Sequence, residues 1–524
     1  MKFSNRSKYL LLALLALLNI LIRIPSIPHE RGSPDEFTMH ILANSLSMFG
    51  EARWWIHPSS VFGFYPYSYA SASPFAFSGI SQCTGISLEW IAWIFCTLLG
   101  IFVMFSAYIM AEQIKNDDLF KFLVAFTVSL SLGVLNYLTW QISARGFFIA
   151  LLPFFIYLLL KSHIFAVRFG TLTFISFILL MATHHYYAFT LPIIFSFIIL
   201  VIFYKLKGYI TKFIRFPDIL VSVILIIMFF GMFSIPFFTR IFAGDSRYDA
   251  LHLMLENTIR YSGPFFLFAM VGLSYLMFKH DREYGEWFLL FTSIFFIPFM
   301  YINTYAHYFA TVLICTLICI ALVNIAKACE GKRKRVFAII IIILLLFVSF
   351  SGFYQHWRTN IGGKKPCQWY IEDATYKSAL WIKDNINENK RMIGSSQSDL
   401  TSTRVFAISE VPTLVMPEAD ITYGFVNVSN IKVTKNSPLS EEFYMDNPYV
   451  LPDIYAETTS AKWYLGSLDV DSKAAKRIIH RYNLSYYIED RPFQDTFTRS
   501  LREERKPVPV YDNRRIRIWC LDLR

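Results

Sequence analysis

The chain has 524 residues, of which 55% are hydrophobic and 18% are aromatic, and its formal net charge is +11. Charged residues make up only 17% of the chain, compared with about 25% in an average soluble domain, so this composition excludes an ordinary soluble protein. The seven cysteines are scattered, without the paired spacing that is typical of a zinc site.

Apolar blocks predict about eleven membrane-spanning helices, because blocks of about 16–22 residues match the length at which a helix crosses hydrocarbon. Helices are expected since they satisfy their own backbone hydrogen bonds, which lipid cannot do. The first block lacks a small-x-small cleavage pattern, so we interpret it as a retained span and not as a signal peptide. The predicted spans lie near residues 8–25, 86–111, 119–138, 146–161, 168–183, 186–204, 218–239, 263–279, 286–302, 307–326 and 336–353.

Lysines and arginines concentrate in alternate connections between these spans, and such residues resist translocation. This bias predicts a cytoplasmic N-terminus, with the first loop (26–85) and the C-terminal region on the outer side. It also explains the net positive charge without a nucleic-acid partner. The basic connections lie near residues 2–8, 115–121, 161–168, 205–215, 279–282 and 327–335.

The chain becomes polar after the last apolar block, which predicts two domains. Residues 1–355 form the membrane module, and residues 356–524 form an extracytoplasmic soluble α/β domain. The overall fold class is therefore a mostly α polytopic membrane protein with a C-terminal α/β domain. Helices are expected in DATYKSALWIKDNI (373–386) and in DSKAAKRIIHRYN (471–483, capped by Asp471), and strands in RMIGSS (391–396), LSYYIED (484–490) and RRIRIWCLDL (514–523).

Two adjacent carboxylates, Asp35 and Glu36, follow the first span within a few residues. A carboxylate at the edge of a membrane cavity can act as a general base toward an attacking hydroxyl. The sequence Ser33-Pro34-Asp35-Glu36 is also a good helix start, so a purely structural role remains open.

Several cationic or imidazole side chains are predicted on the same side, and each could hold a phosphate. Arginine can also reach lipid headgroups, and the arginines near residues 240–262 could pair with Asp245 and Asp249, so these alternatives remain open. The candidates for binding the donor lipid phosphate are Arg145, His184, His185, His307, Arg240, Arg247 and Arg260.

The first loop contains the aromatic stretch WWIHPSSVFGFYPYSY (54–69), whose rings could stack on a sugar or lie at the membrane interface. The candidates for contacting sugar or acceptor are Trp54, Trp55, His57, Tyr65 and Tyr67. Together, a base, cations and aromatic rings suit the transfer of a sugar from a membrane-borne phosphate to a hydroxyl. The phosphate leaving group needs electrostatic stabilisation, and the acceptor hydroxyl needs a base.

The sequence resembles the GT-C superfamily of polyprenyl-phosphate-sugar-dependent glycosyltransferases. The resemblance is carried by Asp35-Glu36, by ISARGFF (142–148), by ATHHYYAFTLP (182–192), by HYFATVL (307–313) and by the C-terminal W-I-K helix followed by MIGSS. It implies an inverting transferase in which Asp35 is the catalytic base and Glu36 is the second acid of the pair. It also implies a metal-independent reaction without a cofactor.

The chain departs from the family's patterns at two places. The late-span motif often opens with arginine where this chain has His307, and the WWDYG motif of the oligosaccharyltransferase branch is missing from the soluble domain. We therefore expect a hydroxyl acceptor, on a lipid-linked glycan, a protein or a cell-surface polymer, and not a protein asparagine. The expected partners are a polyprenyl-phosphate-linked sugar, this acceptor and membrane lipid.

A transporter or flippase with an external binding domain is the alternative. A transporter would be indicated by ionisable residues deep within the spans or by paired half-chain repeats. The charges lie at predicted span ends instead, and this favours the enzyme.

Overall fold

The computed structural model describes residues 3–25, 27–55, 58–64, 69–213, 217–238, 247–263, 265–302, 304–328, a few positions between 334 and 344, 370–386, 391–394, 399–414, 434–435, 449–450, 462–503 and 508–521. The N-terminal part of this set is helical. Its helices are α1 (Asn5–Leu21), α2 (Pro34–Phe49), α3 (Ala72–Thr84), α4 (Leu88–Ile114), α5 (Asp118–Leu130), α6 (Leu132–Leu135), α7 (Ala144–Ser162), α8 (Ala166–Thr183), α9 (Leu191–Phe213), α10 (Pro217–Phe238), α11 (Arg247–Ser262), α12 (Phe266–Phe278), α13 (Tyr284–Ile302) and α14 (Thr304–Ala328).

Within the described residues, six helices are long and apolar enough to cross a membrane. A seventh span arises if α11 and α12, which meet at 102°, are counted as one bent span. The chain is therefore a multi-pass membrane protein, as predicted. The predicted number of about eleven is not established, and most of the predicted span at 336–353 lies outside the described residues.

The predicted span at 119–138 is interrupted, because α5 ends at Leu130 and only the short α6 follows before an irregular turn (136–143). The chain leaves the helix at Ser131, whose backbone is extended and whose hydroxyl donates to Val128 O at 2.9 Å. A Cβ atom on Gly133 of α6 would lie 2.7 Å from Thr311 Oγ1, so α6 packs closely on α14. The apolar composition continues across the break, which is why hydropathy alone predicted one helix.

A fully buried arginine, Arg23, satisfies the backbone that this break leaves free. Its Nε donates to Leu138 O at 2.8 Å, its Nη2 to Ser129 O at 3.4 Å, and its Nη1 to Asn19 O at 3.0 Å. Irregular backbone in a membrane protein is tolerated where buried groups supply such partners. Gly100 of α4 leaves room for this guanidinium, since a Cβ there would lie 2.4 Å from Arg23 Cζ.

The C-terminal part of the described chain is an α/β domain, as predicted. Its sheet has the order β2-β1-β5-β7-β6, with β1 parallel to β2 and β5, and with β7 antiparallel to β5 and β6. Its elements are α15 (Asp373–Asn385), β1 (Arg391–Gly394), α16 (Asp399–Ser409), β2 (Thr413–Leu414), the separate pair β3 (Thr434–Lys435) and β4 (Tyr449–Val450), α17 (Lys473–Arg481), β5 (Leu484–Asp490), α18 (Thr496–Glu503), β6 (Pro509–Asp512) and β7 (Ile516–Cys520).

All five predicted elements of this domain are confirmed. The segment between the predicted strands at 484–490 and 514–523 also contains a helix, α18, and a strand, β6, which were not predicted. The helix α18 begins after Asp495, whose carboxylate accepts from Thr498 N at 2.9 Å. The predicted cap of α17 is wrong by one residue. Ser472 accepts from Ala475 N at 3.1 Å, whereas Asp471 pairs with Lys476 at 2.7 Å.

The α/β domain packs directly on the first loop, through α16 against α2. Phe37 and Leu42 of α2 share a hydrophobic core with Val405 and Phe406 of α16. At the same interface, Asn44 Nδ2 donates to the carbonyl of Ala407 at 2.7 Å. The predicted domain boundary at 355/356 lies outside the described residues.

A short bridge segment (29–31) joins the two domains just before α2. Ile371 N donates to Glu30 O at 3.0 Å, and Arg31 forms an isolated antiparallel bridge with Tyr370. On its other side, Arg31 N donates to Trp140 O at 3.0 Å. The bridge segment therefore ties the α/β domain to the irregular turn that precedes α7.

Candidate active site

The two predicted acids begin α2 and have different environments. Glu36 is buried, and its Oε2 accepts from Ser33 N at 2.7 Å and from the Ser33 hydroxyl, which completes a capping box. Asp35 is the exposed member, with a side chain 62% accessible. The structural alternative therefore fits Glu36, whereas Asp35 is open to a ligand.

Arg145 lies beside both acids. Its Nη2 is 2.7 Å from Asp35 Oδ2, and its Nη1 is 3.6 Å from Glu36 Oε1. It lies in the first turn of α7, which Ser143 caps by accepting from Gly146 N at 3.3 Å. A cation is unfavourable at a helix N-terminus, and the two carboxylates offset this cost. The same helix end together with a guanidinium can bind an anion.

Close packing between the start of α7 and the turn before it positions Arg145 next to Asp35 and Glu36. A Cβ atom on Gly146 would lie only 2.3 Å from the carbonyl oxygen of Tyr137, so the turn and α7 touch backbone to backbone. Trp140 in the same turn has φ of 43°, which is strained for a bulky residue. It is held in place because its indole N–H donates to Glu89 O at 2.9 Å and its ring stacks on Trp90.

Three tyrosines that the sequence analysis did not select lie next to Arg145. Its Cζ is 5.7 Å from the ring centroid of Tyr137, which packs edge-on against Tyr308 at 5.0 Å. Tyr308 in turn packs edge-on against Tyr261 at 4.4 Å, and the Tyr261 hydroxyl donates to the Tyr308 hydroxyl at 3.1 Å. We call Tyr137, Tyr261 and Tyr308 the tyrosine array.

The predicted histidines have separate positions. His307 is 1% exposed, with Nδ1 3.3 Å from Thr258 Oγ1 and Nε2 3.0 Å from Met300 O, so it joins α11, α13 and α14. His184 is buried at the end of α8, between the rings of Phe148 and Phe309. His185 begins a 3-10 helix, and its side chain lies outside the described residues.

The predicted arginines of the 240–262 region have separate positions. Arg260 is exposed in the last turn of α11, with its Cζ 5.7 Å from the ring centroid of Tyr261. Arg247 is the first residue of α11, but its side chain lies outside the described residues, as does all of Arg240. Arg260 therefore lies at the end of the tyrosine array opposite Arg145.

The two described aromatic candidates of the first loop differ in exposure. Trp54 is 1% exposed and belongs to the core shared by the two domains. Trp55 is 41% exposed, stacks on Phe75 at 4.8 Å, and donates from Nε1 to Ser71 Oγ at 2.6 Å. Three further candidates, His57, Tyr65 and Tyr67, lie outside the described residues.

No group of three or more histidine, cysteine, aspartate or glutamate residues could hold a metal ion in the part of the chain that is described. Metal independence remains a prediction for experiment.

No family model matches this sequence, and no curated protein matches it significantly. Solved structures do match. An archaeal oligosaccharyltransferase, AglB from Archaeoglobus fulgidus in complex with an inhibitory peptide and a dolichol-phosphate, aligns with a TM-score of 0.57 and 12% identity. The alignment covers 92% of this chain and 69% of that one.

Two other solved structures are similar. ArnT from Cupriavidus metallidurans, bound to undecaprenyl phosphate, has a TM-score of 0.56 and 11% identity, covering 99% of this chain and 98% of that one. The mycobacterial arabinofuranosyltransferase AftD has a TM-score of 0.51 and 13% identity, and 99% of this chain spans 42% of it. The predicted resemblance is thus confirmed at the level of the fold, and the chain has the fold of the GT-C membrane glycosyltransferases.

Proposed function

We propose that this protein is an inverting membrane glycosyltransferase that moves a sugar from a polyprenyl-phosphate donor to a hydroxyl acceptor. The observation that carries the proposal is the contact of 2.7 Å between exposed Asp35 and Arg145 at the start of α7, in a GT-C fold. Proteins of similar fold bind dolichol-phosphate or undecaprenyl phosphate, which supports this donor class.

In the proposed reaction, the acceptor oxygen attacks the anomeric carbon from the face opposite the phosphate, and Asp35 takes the hydroxyl proton. The bond between the anomeric carbon and the phosphate oxygen breaks, and its electron pair leaves with the polyprenyl phosphate. Arg145 and the N-terminus of α7 stabilise the charge on this leaving group. The inverted configuration of the product follows from attack on the opposite face.

The ion pair also suggests how Asp35 and Arg145 would exchange partners when the donor binds. A donor phosphate that takes over Arg145 would break its contact of 2.7 Å with Asp35 and leave the carboxylate oxygens of Asp35 open to the acceptor hydroxyl. Glu36, committed to Ser33, would remain to hold Arg145 near the site.

We place the site on the outer face of the membrane, with residues 356–524 as an extracytoplasmic domain. Basic residues of the predicted cytoplasmic connections pair with buried acids at the helix ends opposite the site, which supports this orientation. Lys8 lies 3.0 Å from Asp118 at the start of α5, and Lys327 lies 2.8 Å from Asp117 near the end of α14.

The transporter alternative gains no support from Arg23, an ionisable residue that is fully buried near the end of the predicted span 8–25. The guanidinium donates to backbone carbonyls and to Asn19, which is a structural role. Among the aromatic candidates that the structure describes, the exposed Trp55 is the one we assign to the acceptor side of the site.

The test is sugar transfer by purified protein in nanodiscs, with a panel of undecaprenyl-phosphate-linked hexoses and pentoses. Asp35→Asn should lower kcat by roughly 10²–10⁴-fold, because it removes the base. Asp471→Asn is the matched control, since Asp471 is also exposed and paired with a cation, Lys476, before a helix. Transfer by Asp35→Asn at the wild-type rate would reject Asp35 as the base.

A further inference from the structure

The tyrosine array brings together three separate elements. Tyr137 comes from the turn after α6, Tyr261 from the last turn of α11, and Tyr308 from the second turn of α14. The rings are in edge-to-face contact, an arrangement that aromatic pairs favour. The array contacts Arg145 at one end and Arg260 at the other.

The hydroxyl groups of the array form a polar centre between the two arginines. The Tyr261 hydroxyl donates to the Tyr308 hydroxyl at 3.1 Å. Arg145 lies against the ring of Tyr137, and Arg260 lies against the ring of Tyr261. A centre of phenol hydroxyls flanked by guanidinium groups is suited to an anion.

Rigid neighbours hold the array in place. The contact of Gly146 with the Tyr137 carbonyl fixes one end, and the contact of His307 with Thr258 fixes α11 against α14 at the other. Tyr261 is 3% exposed, so its ring has little freedom to move. Arginine otherwise has many side-chain conformations, and an aromatic face beside it restricts them.

We propose that Tyr137, Tyr261 and Tyr308 are positioning residues for the lipid phosphate, which fix the guanidinium of Arg145 at the site and keep Arg260 at its rim. This inference rests on the proposed function, because it names the residues that help the same site bind the phosphate of the donor. The array acts through Arg145, so its loss should weaken the binding of polyprenyl phosphate more than the binding of the acceptor.

The experiment measures the binding of undecaprenyl phosphate to the purified full chain in nanodiscs, together with donor and acceptor KM in transfer. Tyr308→Ala should weaken lipid-phosphate binding and raise donor KM by about tenfold or more, with acceptor KM unchanged. Tyr308→Phe keeps the ring and loses one neutral hydrogen bond, so its effect should stay near fivefold. Unfolding temperatures would show that both variants fold.

The decisive arm repeats Tyr308→Ala in the Arg145→Gln background. A positioning residue that acts through Arg145 should add little there, since coupled residues are not additive. The matched control is Tyr284→Ala. Tyr284 is the first residue of α13 and packs against Tyr204 at 5.0 Å, whereas the array lies near the other end of this helix, where Met300 contacts His307. This control should bind undecaprenyl phosphate like the wild type.

Two results would overturn the proposal. One is an equal effect of Tyr308→Ala with and without Arg145, and the other is a wild-type protein that does not bind undecaprenyl phosphate. A wild-type protein that binds the lipid phosphate but transfers no sugar would refute the proposed function alone, and the binding data would still decide the role of the array. If Tyr308→Ala transfers sugar with an unchanged donor KM, the positioning role of the array is refuted and the proposed function is not.

Discussion

Replacing Gly146 by alanine should displace Arg145 without touching any charged group. The added Cβ would lie 2.3 Å from the Tyr137 carbonyl oxygen and 2.9 Å from Leu138 Cδ2, whereas ordinary contacts begin near 3.4 Å. The start of α7 must therefore move by about 1 Å, which is enough to lengthen a contact of 2.7 Å beyond hydrogen-bonding range.

The expected loss follows from this shift. A misplacement of about 1 Å at a catalytic group can cost ~10²-fold in rate, so kcat/KM for the donor should fall by roughly 10- to 100-fold. Overpacking should also lower the stability by about 1–3 kcal/mol. Transfer in nanodiscs and thermal unfolding of the same samples measure the two effects.

Gly170→Ala is the matched control, because Gly170 is a helical glycine of α8 with nothing within 4 Å of an added Cβ. Alanine is preferred over glycine in a helix by about 1 kcal/mol, so this variant should be as active and at least as stable as the wild type. Wild-type activity and stability in Gly146→Ala would refute the reasoning that this close approach aims Arg145.

Two further predictions concern the supports of the site. Gly100→Ala should push Arg23 away from its carbonyl partners and so lower the unfolding temperature. Gly79→Ala is the control and should leave the unfolding temperature unchanged, because nothing lies within 4 Å of an added Cβ there. Equal unfolding temperatures of the two variants would contradict this role for Gly100. Burial lowers the pKa of His40, but Glu30 Oε1 at 2.5 Å, with Glu89 and Glu410 nearby, outweighs burial and raises the pKa above 6.5. The protonated His40 therefore stabilises the folded state fully below about pH 6.5, and this stabilisation is lost as the pH rises through the raised pKa. Between pH 6 and pH 9, the unfolding temperature of the wild type should fall by more than that of His40→Gln. Parallel losses in the two proteins would contradict it.

The membrane class and the α/β domain could be predicted from the sequence, because apolar blocks and amphipathic periodicity are local patterns. The break after α5 could not, since the extended residue Ser131 lies inside a stretch that stays apolar on both sides. The strand β2 has two residues and is too short to leave a pattern. The adjacent Trp54 and Trp55 look alike in the sequence, and only packing shows that one is core and the other exposed.

The acids and Arg145 could be found because they begin helices and match a family pattern, although their contact was not predictable. The tyrosine array had a weaker signal. Tyr308 follows His307 and Tyr261 follows Arg260, but the chain has 30 tyrosines and the three of the array come from separate elements. The sequence could not show that His307 is enclosed by Thr258 and Met300.

The central claim is that Asp35 and Arg145 serve one reaction at a lipid-borne glycosyl phosphate. The most direct measurement is mass spectrometry and NMR of the products when the purified wild-type protein and Asp35→Asn receive the same lipid-linked sugar and a hydroxyl acceptor. Free undecaprenyl phosphate and a product of inverted anomeric configuration from the wild type, with neither from the variant, are the predicted result. A retained configuration, or equal yields from both proteins, would contradict the account.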